Sequence, residues 1–472
     1  MEEINPIGLV LDVSRAYSSH IGENGLNKQD IDTLAPRISD VMAKLAGERE
    51  VGVVDFYGLP GDDEIIQKTL QMASSISGRF DNLVVLGIGG SSLGPRALVR
   101  CLSSGLSNLR PPEKRGRRPR VFFLDNVDPD SISDLLDILP LSRTAFNVIS
   151  KSGSTVETLA QFLVIRDKLE LLLGNNSSEH IVITTDPENG ALRDIAGKKG
   201  YSTLDVPPNV GGRYSIFSPV GLFPAAVAGT DIEMLMQGAS EMEKACWNDD
   251  VRSNPAALLA STLYLLDRKK GAHIHVFMSY SDAMESVCRW QRQLWAESLG
   301  KTTSVEGKDV TVGPTPIAAL GTPDQHSMLQ LCLEGPKDKV LVFLTSRSLN
   351  SDVEIPSFPG EPLFETLGGE SFSRLLRIEK KATALALEDS GRPSIEIELP
   401  VLAARPLGAL FMLLEASTAI AGGLYGINPF DQPAVEKIKQ YTWGLIGRKG
   451  FEEYREKANA EPKPESWQTI RL

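Results

Sequence analysis

The chain is 472 residues long and carries 61 acidic against 49 basic side chains, which gives a formal net charge of −12. A surface this acidic argues against non-specific binding of nucleic acid. The length predicts two or three domains, at roughly 100–200 residues each. The four cysteines are isolated and form no CxxC pair, which excludes a disulfide framework and a thiolate zinc site and fits a reducing compartment.

The composition is that of a globular protein, with 42% hydrophobic and 23% charged residues. The first residues, MEEINPIGLVLDV, have no basic region and only a short apolar stretch, so they are not a secretory signal. No run of apolar residues reaches the roughly 18 that a membrane span requires. We therefore expect a cytoplasmic protein without a membrane-spanning segment.

Residues 1–62 form a polar, mostly helical lead-in that ends in a turn at 58–61. Four short apolar runs then alternate with stretches long enough for helices, such as residues 155–173. Because each run is apolar throughout, it is typical of a strand covered on both faces. The runs are LVVLGIG (83–89), VFFLD (121–125), FNVIS (146–150) and IVITT (181–185).

A second series of strands follows, and helical stretches separate these strands too. The pattern predicts an α/β fold with two tandem doubly wound parallel sheets, joined near residues 236–256. An apolar helix over 408–425, a proline-interrupted link and a helix from Pro433 predict a tail laid over a neighbour. The later strands are HIHVFMSY (273–280), VLVFLTS (340–346) and SIEIEL (394–399), and the predicted segments are a lead-in (1–62), two domains (63–240 and 241–425) and an arm (426–472).

The glycine turn, GIGGSSLG at residues 87–94, directly follows the first predicted strand. A dinucleotide fingerprint would need glycine in place of Ser92, and a Walker loop would need lysine in place of Pro95, so both nucleotide interpretations are weak. The turn allows bare backbone to approach a ligand, with Ser91 and Ser92 as donors at a helix N-terminus. The alternative is a tight strand–helix connection that binds nothing.

The hydroxyl loop, SKSGST at residues 150–155, also follows a predicted strand and opens a helix. The positive end of the helix dipole favours an anion there, and small hydroxyl groups suit a terminal phosphate monoester. One Ser or Thr is enough to cap a helix, so the loop holds more hydroxyls than capping requires. Plain capping is the alternative.

The segment GGRYS at residues 211–215 combines two glycines with Arg213, a side chain that is always charged. A fixed cation beside a bound sugar would stabilise an oxyanion in the transition state. The alternative is a surface turn with a solvated arginine.

A helix is predicted over residues 282–300, with Asp282 as its N-cap. Gln293 and Glu297 are four residues apart and share one face of this helix. The helix dipole opposes a carboxylate in the last turn, so Glu297 is either a solvated charge or a base with a raised pKa.

The remaining candidate functional residues are three histidines and a basic stretch. His326, in GTPDQH (321–326), is by itself more often a structural residue than a catalytic one. His273 and His275 have no apparent third ligand nearby, which disfavours a metal site. The basic stretch 110–120 lacks interleaved aromatic residues, so a solvated loop is favoured over a nucleic-acid site.

Taken together, six blocks in order over residues 50–445 resemble the glucose-6-phosphate isomerase (phosphoglucose isomerase) family. The resemblance implies two sugar-isomerase (SIS) domains, in agreement with the tandem α/β prediction. It also implies reversible aldose–ketose isomerisation of glucose 6-phosphate and fructose 6-phosphate in glycolysis and gluconeogenesis. The blocks are LGIGGSSLGP (86–95), ISKSGSTVET (149–158), VGGRYSIFSPVG (210–221), QLWAESLGK (293–301), GTPDQH (321–326) and NPFDQPAVE (428–436).

The resemblance assigns roles to residues of these blocks. Glu297 would move a proton between C1 and C2 with Gln293 beside it, and Arg213 would stabilise the enediolate. His326, supplied by the neighbouring subunit of a homodimer, and Lys439 would open the sugar ring. No cofactor and no metal are implied. The residues that would hold the phosphate and line the pocket beside it are Ser150, Lys151 (through its backbone), Ser152, Thr155, Gly90, Ser91, Glu157, Gly212 and Gln432.

Three positions depart from the family pattern without removing a group that the chemistry needs. Ser152 stands where members often have Thr, Gly153 where some have a bulky residue, and Ala434 where Gly is common. Other hypotheses are a non-catalytic SIS-type sugar-phosphate sensor, an isomerase of another hexose phosphate, and an NAD-dependent enzyme, which Ser92 already disfavours.

Overall fold

The computed structural model describes residues 7–460 and divides into two compact units, Met1–Pro429 and Phe430–Leu472. The first unit contains two five-stranded sheets and one two-stranded sheet. The second unit contains two helices within the described residues. The predicted α/β class with two parallel sheets is confirmed. The division into four segments stays a prediction.

Twelve strands lie within residues 7–460. They are β1 (Val10–Asp12), β2 (Asn82–Leu86), β3 (Arg120–Leu124), β4 (Thr144–Ile149), β5 (Ile181–Thr185), β6 (Ser202–Asp205), β7 (Ile274–Ser279), β8 (Lys301–Thr303), β9 (Asp309–Val312), β10 (Thr315–Leu320), β11 (Lys339–Ser348) and β12 (Ser394–Val401).

Eighteen α-helices accompany these strands in the same part of the chain. They are α1 (Ser18–Ile21), α2 (Lys28–Glu50), α3 (Asp63–Arg79), α4 (Gly90–Leu102), α5 (Pro129–Ile138), α6 (Val156–Leu173), α7 (Ala191–Lys199), α8 (Pro219–Ala228), α9 (Ile232–Ala245), α10 (Pro255–Lys270), α11 (Asp282–Leu299), α12 (Pro323–Ser327), α13 (Leu329–Glu334), α14 (Pro362–Leu367), α15 (Phe372–Asp389), α16 (Ala404–Tyr425), α17 (Pro433–Ile446) and α18 (Glu452–Asn459).

The first sheet has the strand order β3-β2-β4-β5-β6, and all its neighbouring strands are parallel. Every residue of β2, β4 and β5 is buried, as expected for strands covered by helices on both faces. The core on one face joins strand residues such as Val84 and Phe146 to Phe162 and Ile165 of α6. The strand predictions over this sheet are therefore confirmed for β2 to β5.

The second sheet has the order β1-β12-β11-β7-β10. Its last four strands are parallel, and β1 adds to the edge antiparallel to β12. The lead-in is thus not only helical, because Val10–Asp12 forms this edge strand. The core on one face includes Val276, Phe343 and Leu387.

The apolar helix predicted over 408–425 is α16, and the prediction that it belongs to a tail is wrong. Its side chains are almost all buried within the first unit, where it packs mainly on α9, α10 and α11. By length and composition α16 could cross a membrane, but 94% of its most apolar window is buried inside the protein. Removal of its apolar side chains from water stabilises this 22-residue helix in the core of its own chain.

Candidate active site

Distant segments of the first unit meet at the carboxyl edge of the first sheet. The glycine turn follows β2, and the hydroxyl loop follows the neighbouring strand β4. The ammonium group of Lys151 donates to the carbonyl oxygen of Val210 at 2.9 Å, which ties the hydroxyl loop to the segment that leads to Arg213. Open parallel sheets bind their ligands at this edge.

The glycine turn approaches two other segments so closely that side chains have no room. Gly89 has φ +60°, and a Cβ there would lie 2.7 Å from Nε2 of Gln293. A Cβ on Gly90 would lie 2.1 Å from the carbonyl oxygen of Gly212. Glycine therefore allows the turn to pack directly against α11 and against the segment that holds Arg213.

The two serines of the glycine turn have different surroundings. Ser92 is buried, and its hydroxyl donates to a carboxylate oxygen of Asp125 at 2.9 Å. Arg96 donates to the same oxygen at 2.7 Å. The prediction that Ser92 offers its hydroxyl to a ligand is therefore wrong, whereas Ser91 is half-buried in the same turn.

The hydroxyl loop is arranged for more than capping. Ser150 is buried, and its Oγ lies 2.9 Å from Oγ1 of Thr155. Thr155 is the N-cap residue of α6, yet no side chain accepts from the N–H groups of the first turn. Those N–H groups have no partner inside the helix, which leaves them for an anion. Ser152 is exposed and accepts hydrogen bonds from the N–H of Ser154 at 3.3 Å and from its hydroxyl at 3.1 Å.

Two charged residues flank this loop. The half-buried Lys151 donates to the carbonyl oxygen of Pro208 as well as to that of Val210, so its ammonium group holds the neighbouring segment in place. Burial lowers the pKa of Lys151. Glu157 lies in the first turn of α6 and is half-buried.

Arg213 is a buried cation with 3% exposure, so the alternative of a solvated surface arginine is wrong. Its Nε donates to the hydroxyl of Ser298 at 2.7 Å, and one Nη donates to the carbonyl oxygen of Pro429. The hydroxyl of Tyr214 lies 3.2 Å from the same Ser298 oxygen. These contacts fix the plane of the guanidinium group.

The fixed guanidinium group faces a carboxylate. Nη1 of Arg213 lies 3.6 Å from Oε2 of Glu297. Nε2 of Gln293, one turn earlier on α11, donates to Oε1 of Glu297 at 3.0 Å. The Glu297 side chain is 33% exposed, so it reaches both a cation and solvent-accessible space.

Sequence reasoning missed three groups that support this pair. Besides Ser298 and the carbonyl of Pro429, Lys301 donates to the carbonyl oxygens of Glu297 at 2.7 Å and Ser298 at 3.0 Å. A lysine directly after a helix-ending glycine is a signal for such a contact, because its cation complements the helix C-terminus. The helix starts with Ser281 rather than Asp282 as its N-cap residue.

His326 does not join this group within one chain. It is exposed on α12, which follows β10 at the carboxyl edge of the second sheet. His326 shares a cavity with Ser281 and Asp282, at the start of α11. Glu297 lies in the last turn of the same helix, about 22 Å further along at 1.5 Å per residue.

Gln432 and Lys439 belong to the second unit. Gln432 is the N-cap residue of α17, and Lys439 lies within that helix. The ammonium group of Lys439 is 2.5 Å from a carboxylate oxygen of Glu436. Gly212 begins a short 3₁₀ turn that continues through Tyr214.

The remaining histidines and the basic stretch have other surroundings. Nδ1 of the exposed His273 is 2.6 Å from a carboxylate oxygen of Asp267. His275 is buried and accepts from the indole N–H of Trp295 at 3.1 Å. The basic stretch 110–120 is mostly exposed, as a solvated loop would be.

The described residues thus combine a glycine turn, a hydroxyl loop with free helix N–H groups, a buried guanidinium group and a carboxylate held by an amide. An anion would fit the helix N-terminus, and the carboxylate–guanidinium pair suits proton transfer next to a developing oxyanion. Fold and site together would suit an α/β enzyme that acts on a phosphorylated substrate by acid–base chemistry.

Comparisons with known proteins narrow this class. The family model described as "Phosphoglucose isomerase" matches residues 69–349. A glucose-6-phosphate isomerase from Carboxydothermus hydrogenoformans is 39% identical over 462 residues, 97% of this chain and 99% of that protein. One from Rubrobacter xylanophilus is 43% identical over 432 residues, 91% of this chain and 96% of that protein.

A solved structure is also similar to this chain. A hypothetical protein from Thermus thermophilus superposes with a TM-score of 0.83 at 33% identity, and the match covers 93% of this chain and all of that one. The chain belongs to the phosphoglucose isomerase family.

Proposed function

We propose that the chain interconverts glucose 6-phosphate and fructose 6-phosphate, as a step of glycolysis and gluconeogenesis in the cytoplasm. Family membership supports the reaction class. The observation that carries the proposal is the position of Glu297 between the amide of Gln293 and the guanidinium group of Arg213. Each oxygen of the carboxylate has its own neighbour, and these two contacts fix the orientation of the side chain that would exchange the proton.

The phosphate of the substrate binds the hydroxyl loop in this proposal. Ser150, Ser152 and Thr155 supply hydroxyls, and the first turn of α6 supplies N–H groups. The loop takes no part in bond making or breaking. It anchors the sugar so that binding energy remote from the reacting carbons orients C1 and C2.

Proton transfer then converts the open-chain aldose into the ketose. Glu297 removes the proton from C2, and the electron pair moves through a C1–C2 double bond onto the former carbonyl oxygen. Arg213 offsets the negative charge of this enediolate without a need for a metal. Glu297 returns the proton to C1, while the proton of the C2 hydroxyl moves to the C1 oxygen, so atoms and charge balance.

Ring opening must precede this step, because the cyclic sugar has no carbonyl group. We assign the opening to His326 and Lys439, as the family resemblance implies. The length of α11 separates His326 from Glu297 of the same chain. The proposal therefore pairs His326 of one subunit with Glu297 of another in a homodimer.

The function is tested by a coupled assay of the purified protein with fructose 6-phosphate and, in parallel, mannose 6-phosphate. Glucose 6-phosphate should form from the first substrate, with deuterium incorporated at C1 or C2 in heavy water. E297Q should bind fructose 6-phosphate nearly as well as the unsubstituted protein, with turnover reduced by at least about 10². Full turnover by E297Q refutes the base assignment, and turnover of mannose 6-phosphate alone refutes the substrate.

The shared site is tested by mixing inactive subunits. H326A and E297Q chains, each almost inactive, are unfolded together, refolded and assayed. Mixed dimers contain one site with both groups intact, so activity should return to about a quarter of the unsubstituted level for random pairing. If each chain built its site from its own His326, no activity would return.

A further inference from the structure

The two parallel sheets of the first unit repeat one topology. In each sheet the second parallel strand along the chain lies on one side of the first, and the third and fourth follow on the other side. The strands β2, β3, β4 and β5 thus correspond to β7, β10, β11 and β12. The strand that precedes the hydroxyl loop, β4, has β11 as its counterpart.

The pairing register shows which residues correspond. Leu86, the last residue of β2, lies opposite Val148. Ser279, the last residue of β7, lies opposite Leu344. Equating these pairs places the hydroxyl loop, SKSGST, on SRSLNS at residues 346–351. Both segments have serine at the first and third positions and a cation at the second.

The backbone of residues 346–351 follows a different path from that of the hydroxyl loop. β11 continues through Ser348, which pairs with Val401, and the next long helix, α15, begins only at Phe372. The segment therefore does not open a helix, and the N–H groups of a first turn are not offered there. An anion at this edge would need its charge neutralised by side chains.

A cavity at this edge provides those side chains. The cationic cavity has a volume of about 310 Å³, which is at the lower end of the range for small-molecule sites. Four cations and two carboxylates line it, so its lining is net positive. Ser281, Thr345 and Ser346 also line it. The cations are Arg15, Arg377, Lys380 and Lys381.

Two of the four cations lack an acidic partner. Arg15 lies 2.8 Å from Glu388, and the ammonium group of Lys380 lies 2.5 Å from Glu396. Arg377 and Lys381 make no ion pair and no hydrogen bond with any described residue. They are four residues apart on α15, where like charges repel each other, and an anion in the cavity would relieve that repulsion.

We propose that the cationic cavity is a second anion site, which binds the phosphate monoester group of a small metabolite. Arg377 and Lys381 provide the charge, and Ser281 lines the same cavity. This site is separate from the hydroxyl loop, and it does not depend on the reaction proposed above.

Calorimetric titration of the full chain with inorganic phosphate, and separately with fructose 6-phosphate, tests the proposal. The unsubstituted protein should bind two phosphates per chain, and S150A/T155A should retain one. Adding R377Q/K381Q to S150A/T155A should weaken this remaining binding at least tenfold. The matched control adds R374Q/K337Q, which removes the same charge from exposed residues outside the cavity and should leave binding unchanged.

Each outcome bears on one of the two proposals. A single phosphate per chain in the unsubstituted protein, unaffected by R377Q/K381Q, overturns the second anion site, as does equal weakening by the control pair. R377Q/K381Q alone should retain the isomerase kcat and KM, because neither residue belongs to the proposed catalytic group. Absence of isomerase turnover in the unsubstituted protein would speak against the proposed function and leave the phosphate count intact.

Discussion

A buried carboxyl group on α16 predicts how the stability of this protein depends on pH. Glu415, on α16, has 0% exposure, and neither of its oxygens has a hydrogen-bond partner in the described part of the chain. Burial therefore raises the pKa of Glu415 well above the ordinary value of 4.5. The folded protein holds this side chain protonated over a pH range in which the unfolded chain is ionised.

The sign of the effect follows from this difference. Below about pH 4.5 both states are protonated, and the stability contribution is fully present. As the pH rises toward the folded-state pKa, ionisation stabilises only the unfolded chain. The free energy of unfolding then falls by up to about 1.4 kcal/mol per pH unit. E415Q has nearly the same shape and is neutral in both states, so it removes this loss.

The measurement is urea unfolding of the two proteins at one protein concentration and at about pH 5, 6 and 7. The difference in the free energy of unfolding should grow with pH in favour of E415Q. The exposed Glu188 supplies a control, because E188Q should differ from the unsubstituted protein by a constant amount. A constant difference for E415Q as well would refute the buried, protonated carboxyl.

Three further predictions concern the site itself. S152A/T155A should raise KM for the phosphorylated sugar because two anchoring hydroxyls are lost, and an unchanged KM would place the phosphate elsewhere. R213K keeps a charge but not the fork that reaches Ser298 and the Pro429 carbonyl, so turnover should fall by roughly 10²; full turnover measured in the coupled assay would contradict a positioning role for that fork. Chelator treatment should leave turnover intact, and a loss restored by added metal would contradict a reaction without metal.

The sequence predicted the interior of the sheets better than their edges. β4 and β5 are apolar runs because helices cover both faces, and such runs are visible without any alignment. β6 is an edge strand with the polar sequence STLD, and β10 is an edge strand that has a proline at its second residue. β6 and β10 each pair with only one strand, and their sequences do not distinguish them from loops, unlike the apolar run of the edge strand β3.

The candidate site was predictable as a set of motifs but not as an arrangement. The glycine turn and the hydroxyl loop each carry a local signal, because close approach needs glycine and anion binding needs hydroxyl groups at a helix start. The burial of Arg213 has no such signal. Its acceptors are Ser298 and the Pro429 carbonyl, 85 and 216 residues away along the chain, and only the packed fold brings them together.

The position of Pro429 links the site to the buried apolar helix α16. α16 is anchored in the core of the first unit, and the chain leaves it at Gly426 to reach Pro429 three residues later. The carbonyl of Pro429 then fixes one Nη of Arg213, while Ser298 fixes Nε. A backbone carbonyl cannot be removed by mutation of its side chain, and it adds no charge that would compete with Glu297 for the guanidinium group. The apolar helix therefore contributes to the chemistry through the backbone that it holds in place, because it sets the direction in which Arg213 meets the carboxylate.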